Sequence, residues 1–307
     1  MRERLRAGEE NASLSISQLK EPHFWENIYD KARKSALQTR RRREISLDFW
    51  NRLAVRFEIL AGQEGTRRRV DKVLAWLEQH GVLHSEMEVL DIGAGTGVFT
   101  VPLARRTKRV LAIEPAPSML AVLRKRVEAE KLTNILFLDK EWEKIEPVAD
   151  GLTGRFGLVF ASLTPGVQDV ESLMKMVSCS SDWCFLCDYA GRRLSPAREE
   201  LWRMIFSEEM PIPGNDIIFP LNYLYTSGFF PSFKVVVDDW DEKLPVEETV
   251  AGLQDFFQYY TEITPQIQKT IADYVEQRAV KGIFSEWYRL RLGMILWRVA
   301  DKWQLPG

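Results

Sequence analysis

The middle of the chain alternates short, continuous apolar runs with segments in which apolar residues recur every three to four positions. The continuous runs predict strands, and the periodic segments predict helices. Strands are predicted at 87–92, 109–113, 134–138, 157–161, 182–188, 233–240 and 292–299, and helices at 97–106, 116–130, 168–178 and about 195–208. Strands that alternate with helices in this way favour a parallel sheet with helices on both faces.

The first part of the chain is helical in pattern and precedes the sheet. Between about Leu19 and Ala61, apolar and aromatic residues recur at helical spacing, and a further helix is predicted at about 66–80. Asp48 is a candidate N-cap within this region. The pattern therefore predicts a helical leader over residues 1–80.

The remainder, residues 81–307, is expected to form one sheet domain with an insertion near its end. Residues 210–232 contain four prolines and predict a loop before the sixth strand. Helices are predicted at about 246–258 and 264–279, between the sixth and seventh strands. We therefore expect a helical cap inserted at about 244–282.

A glycine-rich turn joins the first predicted strand to the helix that follows it. Residues 89–97 read Val-Leu-Asp-Ile-Gly-Ala-Gly-Thr-Gly, so an apolar run ends in Asp91 and glycines follow at alternate positions. Glycine adopts positive φ readily and lacks a Cβ atom, which lets atoms of a ligand approach the backbone closely. The second apolar run ends in Glu114, at the tip of the neighbouring strand. A carboxylate there can accept hydrogen bonds from both hydroxyls of a ribose.

With these features the chain resembles the class I S-adenosylmethionine-dependent methyltransferases. Dinucleotide dehydrogenases space their glycines as G-x-G-x-x-G, whereas this chain has an acid followed by glycines at every second position. The resemblance implies a Rossmann-like α/β fold: a doubly wound, seven-stranded, mostly parallel sheet whose last strand runs antiparallel between the fifth and sixth. It also implies that S-adenosyl-L-methionine is the cofactor and that the leader lies over it as a lid.

The same resemblance implies a set of cofactor-binding residues, with Asp91 near the methionine moiety and Glu114 on the ribose. The family usually places an acid after the third strand to accept from the adenine amino group, beside a residue that packs on the ring. The spacing favours Glu141 and Trp142 for these two roles, with Asp139 as a competitor for the first. The full set is Asp91, Gly93, Ala94, Gly95, Thr96, Gly97, Glu114, Pro115, Glu141, Trp142 and Ser162.

Composition describes an ordinary globular protein. The 307 residues are 45% hydrophobic and 28% charged, and no apolar run approaches the ~18 residues of a membrane span. The basic N-terminus has no apolar stretch behind it, so we expect no signal peptide and a cytoplasmic location. Cys184 and Cys187 lie three positions apart in a predicted central strand and should point to opposite faces of it. We therefore expect core cysteines and no metal site.

Charge is distributed unevenly and raises the question of nucleic acid. Residues 1–72 contain 17 Lys and Arg against 11 Asp and Glu, and the run Arg40–Arg43 supplies part of this excess. A basic arm can bind phosphates, but acids are mixed throughout, which favours a solvated helical face. The tail of the fourth strand reads Ser-Leu-Thr-Pro from Ser162 to Pro165, in place of the Asn/Asp-Pro-Pro-Tyr/Phe signature typical of nucleobase amino-methylation.

The chemistry of such a fold is expected beyond the carboxyl ends of the strands. Asp188 and Tyr189, at the end of the fifth strand, are the candidate catalytic residues. The resemblance implies a transferase, a methyltransferase. We expect it to move a methyl group to a small-molecule acceptor by in-line displacement. Two alternatives stay open: an RNA methyltransferase that uses the basic N-terminal arm, and a non-catalytic adenosylmethionine-binding protein. The sequence leaves the acceptor, the use of a general base and the oligomeric state undetermined.

Overall fold

The computed structural model describes residues 15–39, 46–192, 194–211 and 216–303, and for 37–39 and 238–240 the backbone alone. The strands are β1 (Glu88–Ile92), β2 (Arg109–Ile113), β3 (Ile135–Leu138), β4 (Phe156–Ser162), β5 (Ser180–Tyr189), β6 (Ser232–Pro245) and β7 (Ile283–Arg298). The helices are α1 (Pro22–Thr39), α2 (Leu47–Ala61), α3 (Glu64–Gln79), α4 (Thr100–Ala104), α5 (Pro117–Ala129), α6 (Val170–Cys179), α7 (Pro196–Phe206), α8 (Ile218–Thr226), α9 (Val246–Gln258) and α10 (Pro265–Arg278).

The strands form one sheet in the order β3-β2-β1-β4-β5-β7-β6. Strands β1 to β5 pair in parallel, and β7 runs antiparallel between β5 and β6. This confirms the predicted doubly wound, Rossmann-like fold. The chain moves outward in one direction from β1 to β3 and in the other from β4, so the order reverses between β1 and β4. Open parallel sheets bind their ligands at the carboxyl side of such a reversal.

Two apolar layers, one on each face of the sheet, form the core. Phe160 of β4 stacks on Phe185 of β5 in one layer, with ring centroids 4.7 Å apart. Cys187 lies in that same layer, whereas Cys184 lies in the layer on the opposite face. Both cysteines are buried and free, which confirms the expectation that they are core residues on opposite faces.

Helix α3 packs on one face of the sheet, where Trp76 meets Phe185, whereas α1 and α2 contact the helices around the sheet. Tyr29 of α1 stacks on Phe219 of α8, with ring centroids 6.0 Å apart. Helix α2 packs on α5, where the side-chain carbonyl of Asn51 accepts a hydrogen bond from Ser118 N–H at 2.9 Å. The other side of α2 meets the cap helix α9. None of the helices within the described ranges is long and apolar enough to cross a lipid bilayer.

Several sequence predictions require correction. Residues 210–232, predicted to be a loop, contain α8, whose Pro220 lies in its first turn, where a missing N–H costs little. Ser46 occupies the N-cap position of α2, and Asp48 lies in its first turn. Strands β6 and β7 extend well beyond their predicted bounds because they pair with each other from Ser232 to Pro245, outward past the end of β5. The helix predicted at 97–106 is shorter in the structure, where α4 spans Thr100–Ala104.

Candidate cofactor and acceptor site

The glycine turn lies at the carboxyl end of β1, directly beside the tip of β2. The N–H groups of Gly93 and Ala94 both donate to the carbonyl of Ile113, at 2.9 Å each. Gly93, Gly95 and Gly97 have φ values of +71°, +55° and +83°, a region that other L-residues rarely adopt. The turn is therefore held against β2 by its backbone while it faces the reversal in strand order.

Glu114 binds this turn to the second strand through its side chain. Its Oε2 accepts from Gly95 N–H at 2.8 Å, and its Oε1 accepts from Ala116 N–H at 2.8 Å. Burial raises the pKa of Glu114, and the hydrogen bonds from Ala116 and Gly95 oppose that rise. A carboxylate oxygen can accept more than one hydrogen bond. Each oxygen thus keeps capacity for a hydroxyl donor, which is what the expected contact with a ribose requires.

Asp91 is a second buried acid at the same end of the sheet. Thr100 Oγ1 donates a hydrogen bond to Asp91 Oδ2 at 2.6 Å. Burial raises the pKa of Asp91 to about 7. The hydrogen bond from Thr100 lowers this pKa, and the charge of Glu114 raises it further. A cation placed beside this carboxyl would restore its ionised form. The ammonium of a bound methionine moiety is such a cation, so Asp91 fits its expected role.

The turn also contains an unsatisfied polar atom. Thr96 Oγ1 is buried and has no hydrogen-bond partner among the residues that the structure describes. Buried hydroxyls are normally paired, with protein, water or ligand. The residues present therefore fit a polar ligand in contact with the glycine turn.

The loop after β4 crosses the glycine turn. A Cβ atom built on Gly93 would lie 2.7 Å from Thr164 Cβ and closer still to the Thr164 hydroxyl. Leu163, the preceding residue, has a φ of +53°, a strained conformation for a bulky side chain. Ser162, predicted to contact the cofactor, ends β4 opposite Cys187 of β5. The predicted residues of β1, β2 and β4 thus meet at one edge, around the reversal in strand order.

The residues predicted to hold adenine follow β3. Trp142 is buried in the core, and its indole N–H donates to Ser172 O at 3.3 Å. Glu141 accepts from Lys144 Nζ at 2.7 Å. Asp139 lies near enough to Glu114 for its charge to add to the raised pKa of Glu114. The adenine contacts of Glu141 and Trp142, and the competing claim of Asp139, stay predictions.

The predicted catalytic residues lie beneath the leader. Tyr189 N–H donates to Asp188 Oδ1 at 2.7 Å. Above them, the buried Tyr29 of α1 donates from its hydroxyl to Val167 O at 3.4 Å. Burial raises the pKa of Tyr29 above its ordinary value, and the nearby charge of Asp188 raises it further. Sequence reasoning counted Tyr29 only among the apolar positions of the leader, because nothing local indicates that α1 returns to the end of β5.

The leader and the cap meet at a second point, between α2 and α9. Arg56 Nη1 lies 3.4 Å from Asp255 Oδ2, and the rings of Phe49 and Tyr259 meet edge to face with centroids 5.0 Å apart. The guanidinium of Arg56 passes over Gly252, where a Cβ atom would lie 2.5 Å from Arg56 Nη2. Gly252 therefore provides the space that this contact between leader and cap requires.

Comparison with known proteins places this site in a family. Residues 89–179 match the family model described as a methyltransferase domain. The chain is 33% identical to a probable ribosomal RNA small subunit methyltransferase A of Methanosphaera stadtmanae over 76 residues. This aligned segment is 25% of this chain and 28% of that protein. It is 30% identical to a ubiquinone biosynthesis O-methyltransferase of Acinetobacter baylyi over 105 residues. This aligned segment is 33% of this chain and 42% of that protein. The chain thus spans less than half the length of either curated relative.

Among solved structures, the fold is similar to that of a magnesium protoporphyrin IX methyltransferase of Synechocystis with bound S-adenosylmethionine. The TM-score is 0.43 at 15% identity, over 75% of this chain and 79% of that one. The matched segment, from β1 to the end of α6, contains the glycine turn and both buried acids. This segment matches a methyltransferase domain, which agrees with the resemblance that the sequence predicted. S-adenosyl-L-methionine is the cofactor expected of such a domain.

Proposed function

We propose that this protein transfers the methyl group of S-adenosyl-L-methionine to a small-molecule acceptor. The observation that carries the proposal is the link between Glu114 and Gly95, which joins a buried acid to the glycine turn where the strand order reverses. When bound, the cofactor supplies a methyl group that its sulfonium has already activated. The chain's own residues then need to orient the acceptor and exclude water. Orientation alone contributes ~7–11 kcal/mol in favourable cases.

The enclosure of the site supports a small acceptor. Helix α1 lies over the loop after β4 through Tyr29 and Val167, and α2 joins the cap through Arg56 and Asp255. Two separate elements therefore cover the carboxyl edge of the sheet. A site covered in this way suits a compact molecule better than a folded nucleic acid.

An RNA acceptor is the second candidate, because the name of one relative given above assigns it to ribosomal RNA. The run Arg40–Arg43, on which this alternative depends, lies outside the described residues. Other basic side chains of the leader are paired with acids: Arg33 lies 3.4 Å from Asp169, and Arg68 lies 3.3 Å from Glu64. Such pairing leaves less positive charge for a phosphate backbone, which supports the small-molecule alternative.

Binding of the cofactor is the first test. Calorimetric titration with S-adenosylhomocysteine should show saturable binding to the wild-type chain and strongly weakened binding to Asp91→Ala and Glu114→Ala. Glu128→Ala, which removes an exposed carboxylate from the same helix that follows Glu114, should bind as the wild type does. Full-strength binding by both site variants would refute the assignment of the site.

Transfer of a radiolabelled methyl group to fractionated small molecules and to total RNA separates the acceptors. Label in the small-molecule fraction supports the proposal. Label in RNA, with an affinity that falls steeply as salt rises, favours the alternative. Binding of the cofactor without transfer to any fraction would favour a non-catalytic protein.

Asp188 and Tyr189 are proposed to take the acceptor's proton if the acceptor is protonated. Asp188→Asn and Tyr189→Phe would then lower kcat by about 10²–10⁴-fold and remove one limb of the pH profile. An unchanged kcat in both variants would exclude them from that role.

A further inference from the structure

Arg69 of α3 is a partly buried cation without a counter-charge. Its Nε is buried and has no hydrogen-bond partner among the residues that the structure describes, and no carboxylate of those residues forms an ion pair with it. The two arginines before it differ, because Arg67 donates to Gly62 O at 2.7 Å and Arg68 lies 3.3 Å from Glu64. A guanidinium keeps its charge in a protein, and a buried charge without a partner costs free energy. Arg69 is therefore suited to contact with an anionic ligand.

The packing of α3 places Arg69 at the carboxyl edge of the sheet. Trp76 of α3 meets Phe185 of β5 edge to face, with ring centroids 6.2 Å apart. Arg69 precedes Trp76 by seven residues, about two helical turns, so both side chains lie on the side of α3 that faces the sheet. The charge of Arg69 also reaches Cys187, two residues beyond Phe185: burial raises the pKa of this thiol, and Arg69 acts against that rise. Arg69 therefore lies beside the end of β5.

The same face of the sheet carries the buried acid of the glycine turn. Asp91 of β1 is the register partner of Phe160 of β4, which belongs to the apolar layer on which α3 packs. Ser162 lies two residues beyond Phe160 on that face, beside Cys187 of β5. Neighbouring strands lie ~4.8 Å apart and alternate residues ~6.6 Å apart, so the Cα atoms of Asp91 and Ser162 are about 8 Å apart. Asp91, Ser162 and Arg69 therefore follow one another across one face, at the carboxyl edge.

Ser162 supplies a second unpaired polar atom at this place. Its Oγ is buried and has no hydrogen-bond partner within the described part of the chain. The neighbour across the ladder is the thiol of Cys187, a weak hydrogen-bonding group. A hydroxyl can donate to a carboxylate while a guanidinium donates two parallel N–H bonds to the same group. A cation and a hydroxyl, both without protein partners, fit a carboxylate better than a neutral or cationic group.

We propose that Arg69 and Ser162 bind the carboxylate of the methionine moiety of S-adenosyl-L-methionine. This inference rests on the cofactor of the proposed function, in which Asp91 pairs with the ammonium of the same moiety. Ammonium and carboxylate are attached to one carbon atom, so this carboxylate comes close to Asp91 and to Glu114, whose charge acts on Asp91. Two buried acids disfavour a third negative charge beside them unless a cation offsets it. Arg69 supplies that cation, so protein groups of opposite sign hold the two charges of the moiety.

A carboxylate of the acceptor is the competing anion, and the position of Ser162 favours the cofactor. Strand β4, which Ser162 ends, is the direct neighbour of β1. The loop that follows Ser162 crosses the glycine turn, where Thr164 packs on Gly93. A carboxylate bound by Ser162 therefore lies beside the turn that the cofactor contacts.

Calorimetric titration with two ligands tests this contact. S-adenosylhomocysteine carries the carboxylate, and its decarboxylated analogue, S-adenosyl-3-thiopropylamine, keeps the amine and lacks only that group. Arg69→Gln should weaken binding of S-adenosylhomocysteine about tenfold to a hundredfold and leave binding of the analogue unchanged. Ser162→Ala should have the same selectivity with a smaller loss. Arg67→Gln, which removes the same charge from an exposed position of the same helix, should bind both ligands as the wild type does.

Urea unfolding of the ligand-free chain separates binding from a structural role. Because Arg69 has no partner to lose among the described residues, Arg69→Gln should unfold at the wild-type urea concentration or at a higher one. Arg69→Lys should restore part of the affinity for S-adenosylhomocysteine, because an ammonium keeps the charge but lacks the paired N–H donors of a guanidinium.

The two ligands also separate failure of this inference from failure of the proposed function. If Arg69→Gln lost affinity equally for both ligands, or for neither, the inference would be overturned while the cofactor assignment stands. Normal binding of S-adenosylhomocysteine by Arg69→Gln with a raised KM for the acceptor would assign Arg69 to the acceptor instead, and would overturn it too. A wild-type chain that binds neither ligand would refute the cofactor itself, and this inference with it.

Discussion

Replacement of Gly93 by alanine probes how tightly the loop after β4 packs on the glycine turn. Gly93 has a φ of +71°, and a Cβ atom there would lie 2.7 Å from Thr164 Cβ. Gly95, two residues on, has a φ of +55°, but a Cβ atom there would meet nothing within 4 Å. Gly95→Ala is therefore a matched control that has the backbone cost without the collision.

The magnitudes follow from these two terms. A left-handed backbone costs an L-residue roughly 1–2 kcal/mol, which we expect as the loss in free energy of unfolding for Gly95→Ala. Gly93→Ala bears that cost and must also displace Thr164, and overpacking of a tight contact costs about 1–3 kcal/mol. The loss for Gly93→Ala should therefore total about 2–5 kcal/mol.

Urea unfolding of the ligand-free chain measures both losses. In a Thr164→Gly background, which removes the colliding atoms, Gly93→Ala should cost no more than Gly95→Ala does. Equal losses for the two alanine variants in the wild-type background would refute the contact between Thr164 and the turn. So would a large Gly93→Ala penalty that persists after Thr164→Gly.

Three further predictions concern the buried acids and the cap. The pKa of Asp91 is raised from 3.8 to about 7, so between these pH values the folded, ligand-free chain holds a proton that the unfolded chain has lost. Protonation of Asp91 therefore stabilises the fold fully below about pH 4, and this contribution is lost as pH rises through about 7. Asp91→Asn should abolish that loss between pH 5 and 8 in urea midpoints, and a slope equal to the wild type's would contradict the assignment. In Glu114→Gln the amide NH2 would face one of the two backbone N–H donors, which it cannot accept from. We expect calorimetry to show adenosylhomocysteine binding weakened at least tenfold, about 1.4 kcal/mol, whereas Glu128→Gln should not weaken it. Gly252→Ala should displace Arg56 from Asp255 and raise the KM for the acceptor while the Kd for the cofactor stays constant. Equal changes in both constants would contradict the assignment of acceptor binding to the cap and of cofactor binding to the sheet.

The positions of the glycine turn and of the two buried acids could be predicted because their signals are local. The alternation of apolar runs and helices determined the sheet, and the acid–glycine pattern placed Asp91 and Glu114 at adjacent strand tips. Glycine at positive φ and carboxylates at strand ends act through their immediate neighbours. A single sequence therefore contains enough information to position them.

The contacts of α1 and α2 with the rest of the chain could not be predicted, because they join distant segments. Nothing near Tyr29 indicates that it reaches Val167, and nothing near Arg56 indicates Asp255. Helix α8 was hidden by Pro220 and by the prolines around it, yet its packing against α1 stabilises it as a helix. The long pairing of β6 with β7 was hidden in the same way, because the added residues of β6 are mostly charged and those of β7 mix apolar with charged side chains.

The insertion of α9 and α10 has a consequence for redesign. Pro245 and Ile283, the residues on either side of it, stand opposite each other in the ladder, so the inserted segment leaves and re-enters the sheet at one point. It can be excised and another grafted in its place without stretching the flanking strands. A transplanted segment must offer an apolar surface to α7, because the native one buries Ala197, Leu201 and Trp202 of that helix. We therefore expect the inserted segment to be replaceable while the glycine turn and both buried acids keep their positions.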